Sequence, residues 1–484
     1  VLVPEINYDD VHYSFISHRS AFIIGNQQLD ANRPYQFEGK VQPHPKTQKS
    51  TILIYKSLAT KDDIDSFHLT PELAEKMKVF QANSLEEMYE VLEKKYDDYD
   101  AVTRIFKRRD LYTAVDLSFH SILAYKYNDR LVKRGHVNGL IFGDTRTGKS
   151  ETVDNLMMHF RAGEATGGEN LSFAGLVGGV HQVLGEGRWG ITWKTIPLNN
   201  RRLVKVDEFH ELDDRDIHKM SEMISSGIAS IQKIHAERTA ARARLIFIAN
   251  IKNGSNLSEF QFGCQAITPI MGGHNEDIAR LDYAIAISSE ELDPKDIAKF
   301  QQQKVSVKTF TSEICHALVM WAWAKGPGDV TIEKAAEDRI SEIALVQAKK
   351  FHPSMPLVPP AEQGLKLSRL AVACAAMFFS TDDKYEKVIV KPMHVEFVAA
   401  FLEKIYTNPI MGFDDYSKVL FARDIIRNPE DLEALGITED IAALLLSMGK
   451  LTVGHLETIF NVDRDLIKLK VFTLLRNNAL RPHG

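Results

Sequence analysis

Three patterns predict an α/β core with helices attached behind it. Between 131 and 290, short apolar runs alternate with helical periodicity, as in a sheet flanked by helices. Within that stretch the octet Gly143-Asp-Thr-Arg-Thr-Gly-Lys-Ser150 follows an apolar run and opens a helix. From 291 to 410 the pattern is helical, as expected of a lid, and breaks only at the proline-rich His352–Pro360. The strands expected in the core are Val137–Phe142, Leu203–Val206, Leu245–Ala249 and Ala284–Ile287.

Residues 1–69 read as a small β-rich region. Tyr35–Gln42 alternates apolar and polar side chains, Thr51–Tyr55 is rich in β-formers, and the basic turn Pro43–Lys49 joins them. The pair is either part of an OB-like barrel or a plain hairpin. Residues 70–130 form a helical connector, with Ser84 as N-cap and Glu87 as the later carboxylate of a capping box. The connector carries a basic cluster, Arg104–Arg109. Residues 411–484 suggest a winged-helix-like C-terminal domain, with Thr452–Phe460 and Arg464–Arg476 as a helix-turn-helix.

At 484 residues the chain is long enough for two to four domains. Hydrophobic residues at 44% and charged residues at 26% give the balance of a soluble globular protein. No apolar run is long enough to span a membrane. Cys264, Cys315 and Cys374 lack metal-ligand spacing, so buried thiols in a reducing cytoplasm are expected rather than a zinc site. A net charge of -6 does not announce a nucleic-acid binder, although basic patches coexist with such a total. The opening VLVPEINYDD is neither a signal peptide nor a methionine start, which suggests processing or a piece of a longer protein.

The octet is a full phosphate-binding loop: Gly143, Asp144, Thr145, Arg146, Thr147, Gly148, Lys149 and Ser150. Its glycines let the backbone N–H groups and the following helix N-terminus face an anion. Lys149 is expected to neutralise the β- and γ-phosphates of ATP, and Ser150 to ligate Mg²⁺. Leu203–Phe209 is an apolar strand ending in adjacent acids. Asp207 is the second metal residue and Glu208 polarises the attacking water. An acidic pair alone is equally a solvated turn; its place after the loop makes it a Walker B motif. Asn250, closing the strand of Arg244–Ala249, takes the position of a residue that orients the lytic water. Arg280 precedes the last core strand and by itself is a surface ion-pair residue; its place resembles that of the arginine which, in AAA+ rings, reaches a neighbouring subunit's γ-phosphate and stabilises transition-state charge.

The order of these segments resembles the AAA+ ATPases, and within them the MCM helicases, particularly the divergent versions of bacterial mobile elements and phages. The likeness is carried by Leu171–Val180, by the Trp-bearing insert Gly187–Pro197, by Asp207-Glu-Phe209, by Ile228–His235, and by Ala279-Arg-Leu-Asp282. It covers 120–290 well and 291–484 in outline, whereas the N-terminal region is too short for the family's full collar. The resemblance implies a ring, of six subunits by analogy, moving on single-stranded or forked DNA. It places Lys233 on a pore hairpin touching DNA phosphates, a role for which a point charge on a long stem is suited. It makes Arg369, in Lys366-Leu-Ser-Arg-Leu370, a second arginine supplied by the neighbour. A primase module or another replication partner is also implied. Trp189 and Trp193 are hairpin packing residues or base-stacking platforms. Two other classes stay open: an initiator that binds DNA without unwinding it, and a regulatory or defence ATPase that remodels a protein.

Overall fold

A computed structural model describes residues 20–25, 29, 35–45, 48, 50–59, 62–105, 108–168, 171–182, 189–232, 236–289, 295, 300, 306–425, 438–448, 452–460 and 467–468. Three strands form the N-terminal sheet: β1 (Ser20–Ile23), β2 (Tyr35–Pro43) and β3 (Ser50–Ala59). The expected pair is present as antiparallel β2 and β3, with a register shift between Glu38 and Gly39. Strand β1 adds in parallel on the other side of β3.

The connector contains α1 (Leu85–Thr103) and α2 (Arg109–Phe119). The Ser84 hydroxyl accepts from the Glu87 N–H at 3.2 Å. The Glu87 carboxylate reaches back one residue further than a capping box requires, to the Asn83 N–H at 2.7 Å. Tyr99 and Phe119 carry the packing inward, each meeting Phe160 edge-on.

The core sheet is built from β4 (Gly139–Gly143), β5 (Glu164–Thr166), β6 (Leu203–Val206), β7 (Arg244–Ala249) and β8 (Tyr283–Ile287). All neighbours are parallel and the order is β8-β4-β7-β6-β5. Every residue of β4, β6, β7 and β8 is buried, which explains their continuous apolar runs. Strand β5 was not expected: at the sheet edge its Glu-Ala-Thr needs no apolar run. Between strands lie α3 (Lys149–Phe160) and α4 (Asp214–Ser226).

Two antiparallel hairpins interrupt the core, Gly178–Gln182 with Trp189–Trp193, and Ile228–Gln232 with Ala236–Ala240. Trp193 is buried, and Trp189 is half exposed. Lys233 lies outside the described residues, as do the expected helix of 464–476, apart from 467 and 468, and parts of the basic stretches at 46–49 and 104–109.

The helices that follow are α5 (Ser312–Trp323), α6 (Lys334–Lys350), α7 (Gln363–Met377), α8 (Pro392–Thr407) and α9 (Phe413–Ile425). Helix α7 is buried nearly all round, as its alanine-rich composition permits. A short parallel pair, Val330–Ile332 with Val388–Val390, had no clear sequence pattern. Cys264, Cys315 and Cys374 are buried and unbridged. Among the described residues no helix is long and apolar enough to cross a membrane.

Candidate functional site

Strand β4 ends at Gly143, whose φ of +140° only glycine adopts without strain. A Cβ there would lie 1.9 Å from the Ile287 carbonyl oxygen of β8, so the close strand contact also demands glycine. Gly148, at φ +79°, turns the chain into α3. The loop between them presents exposed Thr145 and Arg146 and leads into the N-terminus of α3.

The Asp144 side chain anchors the loop. Its Oδ1 accepts from the Leu257 N–H at 2.9 Å, and its Oδ2 from Ser288 Oγ, Ser289 N–H and Ser289 Oγ at 2.9 to 3.1 Å. Burial raises the Asp144 carboxyl pKa, but these hydrogen bonds outweigh that effect and hold it below its ordinary value. The side chain staples the loop to the end of β8 and to the segment after β7.

Lys149 is buried and folds over its own loop. Its ammonium donates to the Gly143 carbonyl at 3.1 Å, Thr147 Oγ1 at 3.3 Å and Asn250 Oδ1 at 3.2 Å. Desolvation lowers it to about 8, partly opposed by the Asp144 and Asp207 carboxylates. Opposite it, Ser150 Oγ donates to Asp207 Oδ1 at 3.0 Å. The same oxygen accepts the Glu208 N–H at 3.0 Å.

Glu208 sits at φ +53°, in the left-handed region, two residues after the end of β6. That conformation is costly for a residue with a Cβ and recurs at functional sites. Strand order explains how Asn250 joins the group: β7 lies between β4 and β6, so its C-terminal residue falls between loop and acids. The Asn250 N–H donates to His210 Nδ1 at 3.2 Å. A cleft of about 530 Å³ opens beside Thr145 and Asn250, lined also by His210, Asp214, Lys252 and Asn256.

Arg280 and Arg369 are not brought to this group. Arg280 Nη1 pairs with Asp277 Oδ1 at 2.8 Å, before the start of β8, while the loop follows the end of β4. The four steps between five paired residues, at about 3.3 Å each, already separate the two ends by roughly 13 Å. The Arg369 side chain is 5% exposed and its Nε lies 2.6 Å from Asp282 Oδ1. Asp282 Oδ2 also accepts from Arg134 Nη2 at 3.2 Å and the Asn138 N–H at 2.8 Å. Arg369 is therefore held in a buried ion pair within its own chain. Missed in the sequence were the Asp144 staple, His210, and a lysine inside a core strand, Lys205; that charge among apolar neighbours was the available signal.

A parallel sheet with a glycine loop, a buried lysine, a serine–aspartate pair and an intervening strand defines an α/β nucleotide-binding core of the AAA+ type. Residues 82–262 match the family model of the MCM P-loop domain, a stretch that takes in α1 and α2 as well. The chain is 24% identical over 255 residues to the DNA replication licensing factor MCM2 of Oryza sativa subsp. indica, covering 52% of this chain and 24% of that protein. The MCM2 of Arabidopsis thaliana is 26% identical over 151 residues, 31% of this chain and 16% of its own length. The matches thus span a quarter or less of these relatives, and they support an MCM-like family for the central region.

Proposed function

We propose that the chain is the motor region of an ATP-driven DNA translocase, a ring-shaped helicase serving replication of a mobile element or phage. One observation carries this reading. Lys149, Ser150, Asp207 and Asn250 converge at one end of the sheet, while Arg280 stands at the other. One chain thus bears both parts of a catalytic site without being able to join them itself. A second copy, set head to tail, supplies the missing arginine, and repeated contacts of that kind close into a ring.

In this reading the loop N–H groups and Lys149 hold the phosphates of ATP. Ser150 Oγ and the Asp207 carboxylate are hard oxygen donors one hydrogen bond apart, a set that suits Mg²⁺. Bound there, Mg²⁺ would neutralise β- and γ-phosphate oxygens. Glu208 takes a proton from the attacking water, and Asn250 orients that water. Arg280 of the neighbouring copy stabilises the charge on the transferred phosphoryl group. Loss of the γ-phosphate loosens the contact between copies, and Lys233 on the hairpin after Gln232 moves with it along one DNA strand. A winged-helix-like C-terminal region, a six-membered ring, a primase partner and a bacterial cytoplasmic setting complete the proposal. The word replication in the names of the relatives supports it.

The test is the ATPase rate with and without single-stranded DNA, followed by strand displacement on a forked duplex. Stimulation and unwinding are expected. An assembled protein that hydrolyses ATP with neither effect favours an initiator or a protein-remodelling ATPase. Lys233→Ala should abolish unwinding and keep basal hydrolysis; unwinding that persists rejects the pore role.

A further inference from the structure

Lys205 is charged and nearly enclosed, in a strand whose other members are Leu203, Val204 and Val206. Strand alternation sets Leu203, Lys205 and Asp207 on one face. On α3, Ser150 and Asp154 are four residues apart and so share one helix face. The two faces meet in matched pairs. Ser150 Oγ lies 3.0 Å from Asp207 Oδ1, while Lys205 Nζ lies 2.7 Å from Asp154 Oδ1 and 3.0 Å from Asp207 Oδ2. The oxygens of Asp207 are thereby made unequal. Oδ1 receives the serine hydroxyl and the Glu208 N–H, and Oδ2 receives the ammonium.

A buried ammonium is costly unless carboxylates surround it, and a valine would fill a core strand without that cost. We propose that Lys205 is a positioning residue on the divalent-cation side of the nucleotide pocket. Its charge occupies the space between Asp154 and Asp207, turns Oδ1 toward Ser150, and keeps the two carboxylates from collecting a cation before nucleotide brings one. The inference rests on the nucleotide reading above.

Charge dictates opposite signs for two substitutions. Lys205→Met leaves two carboxylates and a hydroxyl facing each other, a set of hard oxygens that attracts divalent cations. Asp154→Asn leaves Lys205 committed to Asp207 alone, where it competes harder with the cation. A lysine that only supported packing would give shifts of the same sign in both variants.

The experiment measures binding of a fluorescent ATP analogue to the full chain across Mg²⁺ concentrations, and Mn²⁺ binding without nucleotide by paramagnetic resonance. Lys205→Met should lower the half-saturating Mg²⁺ about tenfold and bind Mn²⁺ about tenfold tighter than the unaltered chain, from removal of one adjacent charge. Asp154→Asn should raise the Mg²⁺ requirement, and the double variant should return near the starting value. Shifts of one sign in both single variants, or unchanged Mn²⁺ binding by Lys205→Met, overturn the proposal. Where Lys205→Met fails to fold, Asp154→Asn decides: a lowered or unchanged Mg²⁺ requirement overturns it. An unaltered chain that binds no analogue at any Mg²⁺ concentration refutes the nucleotide reading instead, and the Mn²⁺ measurement still decides the role of Lys205.

Discussion

Replacing Arg369 by alanine removes one cation from an enclosed carboxylate. Asp282 would keep Arg134 Nη2 at 3.2 Å and the Asn138 N–H at 2.8 Å, but only Oδ2 is served by them. Its Oδ1, now 2.6 Å from Arg369 Nε, would face the void left by a long side chain. Breaking a buried pair from one side costs about 3–5 kcal/mol, and the remaining partners put the expected loss near the lower figure, about 3 kcal/mol. Urea unfolding followed by tryptophan fluorescence suits the measurement, because Trp321 and Trp323 lie on buried α5. Arg369→Ala should lower the midpoint, and pairing it with Asp282→Asn should recover part of the loss, a coupling that only direct partners show. Were Arg369→Ala to unfold like the unaltered chain while its nucleotide hydrolysis alone collapsed, the structural role would be refuted. The expectation drawn from family resemblance, a nucleotide-sensing arginine, would then stand.

Gly143→Ala should abolish binding of the ATP analogue, since its Cβ would overlap the Ile287 carbonyl oxygen at 1.9 Å; retained affinity would show that β4 and β8 separate readily. Asp144→Asn should weaken nucleotide binding and lower the unfolding midpoint by about 1–3 kcal/mol, as the amide sets a donor against donors. Because folding depresses the Asp144 pKa, its stabilising contribution is present above the unfolded value of about 3.9 and lost as pH falls through the folded one. Lys149, lowered to about 8, should make analogue affinity fall as pH rises past 8, while Lys149→Arg removes that dependence. Its effect on stability without nucleotide has the reverse sense: the unfolded lysine holds its proton up to about 10.5, so stability rises between the two values.

The apolar runs of β4, β6, β7 and β8 were legible because strands buried on both faces cannot be written otherwise. The loop was legible because Gly143, at φ +140°, meets a backbone demand that no other residue meets without strain. Strand β5 and the Val330–Val388 pair were not, since three residues give no period to read. The Asp144 staple was not legible, because its partners Leu257 and Ser289 are more than a hundred residues away. The ion pair of Arg369 was hidden for the same reason. Its partner Asp282 appears only when α7 packs against the start of β8. Asn250 joins Lys149 because β7 was inserted beside β4, a fact of strand order and not of local sequence.

Asp282 has a mechanical consequence beyond its stabilising pairs. It stands two residues after Arg280, accepts from Asn138 at the foot of β4, and grips Arg369 on α7. A displacement at Arg280 would therefore reach Asn138 and Arg369 through the same carboxylate. It passes through one short lever into both the sheet and the helical layer behind it. In the proposed ring, such a clamp would let a contact made at Arg280 turn the sheet and α7 together as one body.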